Sequence, residues 1–436
     1  MRMIYKAVAI LCLALSPGLP SAGRAQWIKD GVPIATAANM QNVTGIISDG
    51  SGGAYIVWRD YRNTGNADVY MQRIDSYGFP LWADGGIAVA EGPSQQGDPV
   101  ICMNDGGNIV VAYRDNVNGN DDIFAQCVDP DGNLLWAAGG MPVCLHSSYQ
   151  GIPSIVASTS GSTIIGWLDS RNGDQDVFAQ RINSSGARQW TSDGATICDA
   201  TNLQDGLQMV ADGSSGAIFV WEDLRDGVNL LLYAQKITWT AGLAWTANGV
   251  RLSSANCWQY VTQIMADGSG GAIVTWYDDR YGVDTDIFIQ HILTGGNVSW
   301  TSAGKYVCLE NGDQYFPALT TDGAGGAIIT WQDQRIPTYY HVYAQRVNAS
   351  GDAQWGIGGY PVSDDTGGQR TPHIVSDGVG GAIISWIDQR QGSEYDIHAQ
   401  RIDGSGSKQW IDEGRRVCGA IRSQTTPLIA ADGAQG

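Results

Sequence analysis

Short apolar runs of four to eight residues recur along the whole chain, separated by clusters of Asp, Asn, Gly and Ser. The segment 317–362, PALTTDGAGGAIITWQDQRIPTYYHVYAQRVNASGDAQWGIGGYPV, is representative. A first strand ends at Asp322-Gly323, and a Gly-rich turn leads into AIITW, an apolar run of β-branched character. HVYAQRV then alternates, and the turn Asn348-Ala-Ser-Gly351 leads to a fourth strand around Trp355. Runs of this length between turn-forming residues predict antiparallel hairpins. No segment sustains the 3.6 period of a helix.

The pattern repeats. Trp27, Trp82, Trp136, Trp190, Trp245, Trp300, Trp355 and Trp410 are spaced by 54 or 55 residues, and Trp58, Tyr113, Trp167, Trp221, Trp276, Trp331 and Trp386 keep the same interval. Only Trp239 and Trp258, of 16 tryptophans, fall outside the two series. Four short strands per unit of about 55 residues predict an all-β propeller, one unit per blade, with seven complete four-stranded blades. A β-solenoid is the competing architecture, but its coils are usually shorter and parallel and lack these hairpin turns. Trp27 with Gly31 and Val32 reads as a fourth strand with nothing before it, and Pro427–Asp432 as a first strand with nothing after it. These ends fit a seven-bladed ring with spare end strands. They also fit an eight-bladed ring in a longer parent chain, truncated here at its C-terminus.

Residues 1–25 read as an export signal: basic Arg2 and Lys6, an apolar run over Ala7–Leu15, Pro17 and Pro20, then small residues up to a cut after Ala25. The run is too short to span a membrane, and Cys12 lies inside it, which argues against a lipid anchor. Residues 26–436 then form a single propeller domain, secreted or held at the cell surface (extracellular or periplasmic), as a monomer or as part of a larger multidomain chain.

The stretches Gln72–Trp82 and Gln400–Trp410 share Gln-Arg-Ile-Asp-x-x-Gly-x-x-x-Trp. This resembles the tryptophan-docking repeat of quinoprotein-type propellers, and the resemblance implies blades locked to their neighbours by tryptophan side chains. The longer pattern Asp-Gly-x-Gly-Gly-Ala-Ile-x-x-Trp-x-Asp-x-Arg is similar to tandem repeats of exported bacterial surface proteins. Neither resemblance carries a catalytic residue onto this chain.

Several polar positions recur with the repeat. Asp60, Asp115, Asp169, Asp223, Asp278, Asp333 and Asp388 are each followed two residues later by Arg, except where Val117 stands. Seven copies of one acid–base pair would serve no single reaction, which favours a repeated ion pair and turn bond over a ring of acid–base groups on a binding face. Two series of Gln, one opening each first strand (Gln41 to Gln424) and one in each third strand (Gln72 to Gln400), suit satisfaction of backbone groups between blades. Cys144, Cys198, Cys308 and Cys418 hold equivalent positions too far apart to bridge. The mature chain's seven Cys leave at least one thiol unpaired, and most read as small buried residues.

Charge narrows the function. Lys+Arg 25 against Asp+Glu 44 gives −19, and loss of the leader makes it −22. An acidic surface excludes a phosphate-backbone binder, so no nucleic acid is expected. The five His form no ligand pair, no CxxC occurs, and Asp129–Asn133 and Asn118–Asp122 lack the spacing of a calcium loop. No metal and no cofactor is expected. A quinone-dependent dehydrogenase would need calcium ligands and usually a vicinal Cys pair, and the latter is absent. A glycoside hydrolase or lyase would need carboxylates that the recurring Asp do not single out. One ligand needs asymmetric groups, so the candidate site lies where repetition breaks: Trp239, Trp258, Tyr260, and the loop residues Tyr339, Tyr340 and His341, which lengthen the sixth unit. The expected function is a non-enzymatic binding or scaffold module for a glycan, peptide or protein; the alternative is a propeller enzyme acting on carbohydrate or a quinone-dependent dehydrogenase.

Overall fold

In the second strand of the first repeat, Ala54, Ile56 and Trp58 face one side while Tyr55 and Val57 face the other, and all five are buried. A strand buried on both faces reads as a continuous apolar run, and it must have a sheet packed on each side. Repetition of that requirement closes the chain into a ring. A computed structural model of the chain describes residues 28–432 except 64, 283, 391 and 393, together with the backbone of Ile10–Cys12. It is all-β: seven four-stranded antiparallel sheets, each in sequential strand order, arranged as a seven-bladed β-propeller. Blade 1 comprises Gln41–Ser48, Ala54–Asp60, Asp68–Ile74 and Ile87–Ala90. Blades 2 to 7 begin at Gln96, Gln150, Gln204, Gln259, Gln314 and Gln369. The apolar clusters lie between blades, as where Leu168 and Val177 of blade 3 meet Leu207, Phe219 and Trp221 of blade 4.

The recurring polar residues are consumed by this framework. Trp58 Nε1 donates to Asp60 Oδ2 at 2.7 Å, and the same carboxylate pairs with Arg62 at 2.7 Å. Arg62 lies 3.7 Å over the Tyr70 ring and donates to the Gly85 carbonyl, tying the second, third and fourth strands together. Blades 3 to 7 repeat the Trp–Asp–Arg arrangement. Blade 2 departs from it for a physical reason. Tyr113 replaces the Trp, and its hydroxyl donates to the Gly139 carbonyl at 2.8 Å, the carbonyl an Arg takes elsewhere. Val117 can then stand where the Arg would be.

Two expectations are corrected. The third-strand Gln work chiefly within a blade: Gln72 Nε2 donates to Ala83 O while its Oε1 accepts from the Trp82 amide, and Gln345 does the same for Gly356 and Trp355, while Gln290 of blade 5 also reaches the Leu252 carbonyl after blade 4 at 3.4 Å. Trp355 is therefore held in the turn, and the fourth strand forms later, at Tyr360–Pro361. The indole instead leaves its blade: Trp82 Nε1 donates to Pro130 O at 3.2 Å and Trp355 Nε1 to Gly404 O at 3.2 Å. Its ring covers a turn glycine of the neighbour. A Cβ on Gly132 or Gly351 would come within 3.1 and 2.7 Å of the docked indole, and both residues sit at positive φ, +91° and +75°.

Between blades 7 and 1 stand the two ends of the chain. Ile429–Ala431 packs against the first strands of both blades and pairs in parallel with Ile10–Cys12. Asp30 accepts from Cys418 Sγ at 3.5 Å and from the Gly419 amide at 3.0 Å, as Asn248 accepts from the Asp199 amide between blades 3 and 4. Ile34 and Ala35 are buried with Trp58. The rest of the 1–25 leader and Trp27 lie outside the described residues.

Candidate ligand-binding face

Each blade has two ends. One, here the lower, carries the turns joining first to second and third to fourth strands; the upper carries the loops from second to third strands and from each fourth strand to the next blade. At the upper end a first-strand Gln always faces a second-strand Asp, and the next cross-strand pair inward is where the repeat stops repeating. That pair is Asn42 and Arg59 in blade 1, Gly97 and Arg114 in blade 2, and Gly151 and Leu168 in blade 3. It becomes Asp205 and Glu222, then Tyr260 and Tyr277, then Tyr315 and Gln332, then Arg370 and Ile387. In blades 4 and 6 the second-strand member reaches across to the following blade. Glu222 Oε1 accepts from the Val261 amide at 3.0 Å, and Gln332 Oε1 accepts from the Thr371 amide at 3.3 Å.

The backbone is distorted at this level. Each first strand carries a register shift here, and Asp98, Ile152, Phe316 and Thr371 adopt φ of +51° to +53°. For branched or aromatic residues this is a strained conformation, and strain of this kind is concentrated at binding sites. It also turns Ile152 and Phe316 outward, leaving them about half exposed.

Blades 5 and 6 concentrate aromatic side chains. Trp258 lies 6.3 Å from Tyr260, which stacks on Tyr277 at 5.1 Å. Tyr277 meets Tyr315 edge-on at 5.3 Å and Phe316 at 5.9 Å, and Tyr315 meets Tyr340 at 6.4 Å. Arg370 of blade 7 closes the arc, 5.4 Å from the Tyr340 ring centre. At the arc's other end sits Glu222. Burial, with Asp205 directly across the strand pair, pushes its carboxyl up to about 7. Burial, then the Glu222 charge, pushes the Tyr277 hydroxyl up to about 12.

The six residues singled out from sequence divide. Trp258, Tyr260, Tyr339 and Tyr340 stand at the upper end, Tyr339 beside Gly368. Trp239 lies at the lower end, in the third-to-fourth turn of blade 4, where its carbonyl accepts the Trp190 indole at 3.0 Å and its ring lies 5.5 Å from Arg181. His341 opens a third strand, opposite Asp333, buried and with its imidazole pKa lowered by that burial. The loop before it, 334–340, is no longer than 61–67 or 389–395. Arg59, Arg114, Asp205, Glu222, Tyr277, Tyr315 and Arg370 went unnoticed in the sequence. Their signal was present: two variable slots, one after each recurring Gln and one before each recurring Asp.

Asp129 spends one carboxylate oxygen on the amides of Asp131 and Asn133, and Asp122 accepts from Asn118 and Asn120. Among the described residues all seven cysteines are free thiols. No helix of the described residues is long and apolar enough to cross a membrane.

No family model matches the chain, and no curated protein matches it. Solved structures resemble it at low identity. The polysaccharide lyase Uly1 is 11% identical over 88% of this chain and 96% of its own, with a TM-score of 0.47. An exo-β-1,3-galactanase from Clostridium thermocellum is 11% identical over 88% and 81%, TM-score 0.36. A protein of unknown function from Dyadobacter fermentans DSM 18053 is 10% identical over 71% and 94%, TM-score 0.37. Likeness this distant carries no chemistry across.

Proposed function

We propose that this chain is an exported binding module that holds a glycan across the upper face of the propeller, without turning it over. The observation that carries the reading is the arc from Trp258 through Tyr260, Tyr277 and Tyr315 to Tyr340, which has no counterpart among the described residues of blades 1 to 3. Ring faces suit the C–H faces of sugars, while the flanking Asp205, Glu222 and Gln332 supply acceptors and donors for hydroxyls. The recurring Asp, Arg and third-strand Gln are committed to the framework, which leaves this asymmetric rim to recognise a ligand. Calorimetric titration with soluble polysaccharides tests it: Trp258→Ala and Tyr260→Ala should each weaken binding about tenfold or more. Unchanged binding in both would refute it.

One observation favours catalysis as a second reading. Glu222 and Asp205 face each other across one strand pair, and the Glu carboxyl is held near neutrality, as a general acid requires. Release of reducing sugar or of an unsaturated product, abolished by Glu222→Gln, would establish it. Export is tested by fractionating cells that produce the full chain.

A further inference from the structure

The rim is electrostatically divided. Its acidic and aromatic half runs through blades 4 to 6, and the opposite half holds Arg370, Arg59 and Arg114 in the same variable slots. In a chain with 44 acids and 25 bases, a guanidinium has abundant partners available. Arg114 takes two, Asp98 at 2.9 Å and Asp121 at 2.7 Å. Among the described residues, neither Arg59 nor Arg370 is seen in a side-chain hydrogen bond or ion pair; each lies only near an aromatic ring, Tyr61 and Tyr340. The Nε of Arg59 is moreover buried without a partner. The Nε of Arg62 and Arg171, both committed to the framework, is buried without a partner too, so the point that bears on a ligand is that the guanidiniums of Arg59 and Arg370 meet no carboxylate at the rim among the described residues.

A glycine lets the two neighbouring guanidiniums pack close together. Gly97 stands between the two blade-1 and blade-2 arginines: a Cβ there would lie 3.0 Å from Arg114 Nη2 and 3.6 Å from Arg59 Cζ. Two guanidiniums thus converge on one glycine, with only one of them neutralised. Arg370 stands at the end of the aromatic arc, next to the last ring on which a sugar would stack.

We propose that the glycan bound by this face is anionic, and that Arg59 and Arg370 hold its carboxylate or sulfate groups while neighbouring sugar rings lie on the arc. The inference rests on the glycan-binding reading above and adds the substrate class. A planar guanidinium meets a carboxylate or sulfate with paired donors, which an amide cannot reproduce. Salt then weakens the interaction, because the rim is open to solvent.

The test is calorimetric titration of the full chain with three probes: oligogalacturonate, a sulfated galactan oligosaccharide and a neutral galactan oligosaccharide. At least one acidic probe should bind more tightly than the neutral one, and the acidic arm that binds identifies the anion. Arg59→Gln and Arg370→Gln should each weaken that probe about tenfold and leave the neutral one unchanged, whereas Arg59→Lys should recover part of the loss. Arg415→Gln, on an outer strand, should change nothing. Raising the salt concentration should weaken the acidic probe in the parent chain and much less in Arg59→Gln. If neutral and acidic probes bind equally and the two variants match the parent, the anion inference falls while glycan binding stands. If no probe binds, both fall.

Discussion

Glu222→Gln is the substitution for which the structure gives a magnitude and a sign. The Glu222 carboxyl sits between blades 4 and 5 with one oxygen on the Val261 amide, and burial followed by the Asp205 charge raises it from the ordinary 4.5 to about 7. A carboxyl whose folded-state affinity for protons is raised stabilises the fold fully below pH 4.5. That contribution is lost as pH climbs to about 7. Each tenfold change in proton affinity is worth about 1.4 kcal/mol, so ionised Glu222 burdens the folded state by about 3 kcal/mol above neutrality. Gln is free of that burden, and blade 6 already uses it: Gln332 makes the same contact to Thr371. The variant should therefore match the parent in denaturant midpoint at pH 4.5 and exceed it at pH 8.5 by the equivalent of about 2–3 kcal/mol, followed by tryptophan fluorescence. A variant equally weakened at both pH values would refute the argument, since it would mean that the carboxylate itself is needed at this position.

Four further outcomes follow from the same reasoning. Asp286, raised by burial and the Asp278 charge to about 7, should behave similarly, so Asp286→Asn gains stability at alkaline pH but not at pH 4. Gly249→Ala should destabilise the protein by about 2–4 kcal/mol in thermal unfolding, because φ is +85° and the new Cβ would lie 2.6 Å from the Trp221 ring. Tyr113→Phe should cost about 1 kcal/mol by the same measurement, from loss of the single hydroxyl bond to Gly139 that stands in for an arginine. Trp239→Ala, at the lower end, should leave glycan affinity unchanged in titration while Trp258→Ala lowers it.

The framework was legible because it repeats. Tryptophans at intervals of 54 or 55 residues, a β-branched run after each Gly-rich turn and an Asp two residues beyond each second-strand Trp located every blade. The fourth strand was misplaced onto Trp355 because a periodic tryptophan looks like strand; only the Gln345 bonds reveal that its backbone is held in a turn. The candidate site was half legible. Trp258, Tyr260 and Tyr340 stand out as aromatic breaks, but Trp239 looks the same in sequence and lies at the other end of its blade. Arg59 and Arg370 are ordinary surface residues by composition. What distinguishes them from Arg415, which also makes no side-chain hydrogen bond or ion pair among the described residues, is their place in the variable slots of the upper rim, and that emerges only once the blades fix which side chains meet.

The ligand is expected on the upper rim, along the arc of blades 5 to 7 and, where it is anionic, on to Arg59 of blade 1. Hydrogen exchange of the full chain, with and without the tightest-binding oligosaccharide of the panel, tests it most directly. Slowed exchange is expected at the backbone around 258–261, 314–316, 338–341 and 370–371, and for an acidic oligosaccharide also around 59 and 97, with the lower turns unaffected. Protection centred on the lower turns around Trp239, or spread evenly over all blades, would contradict it.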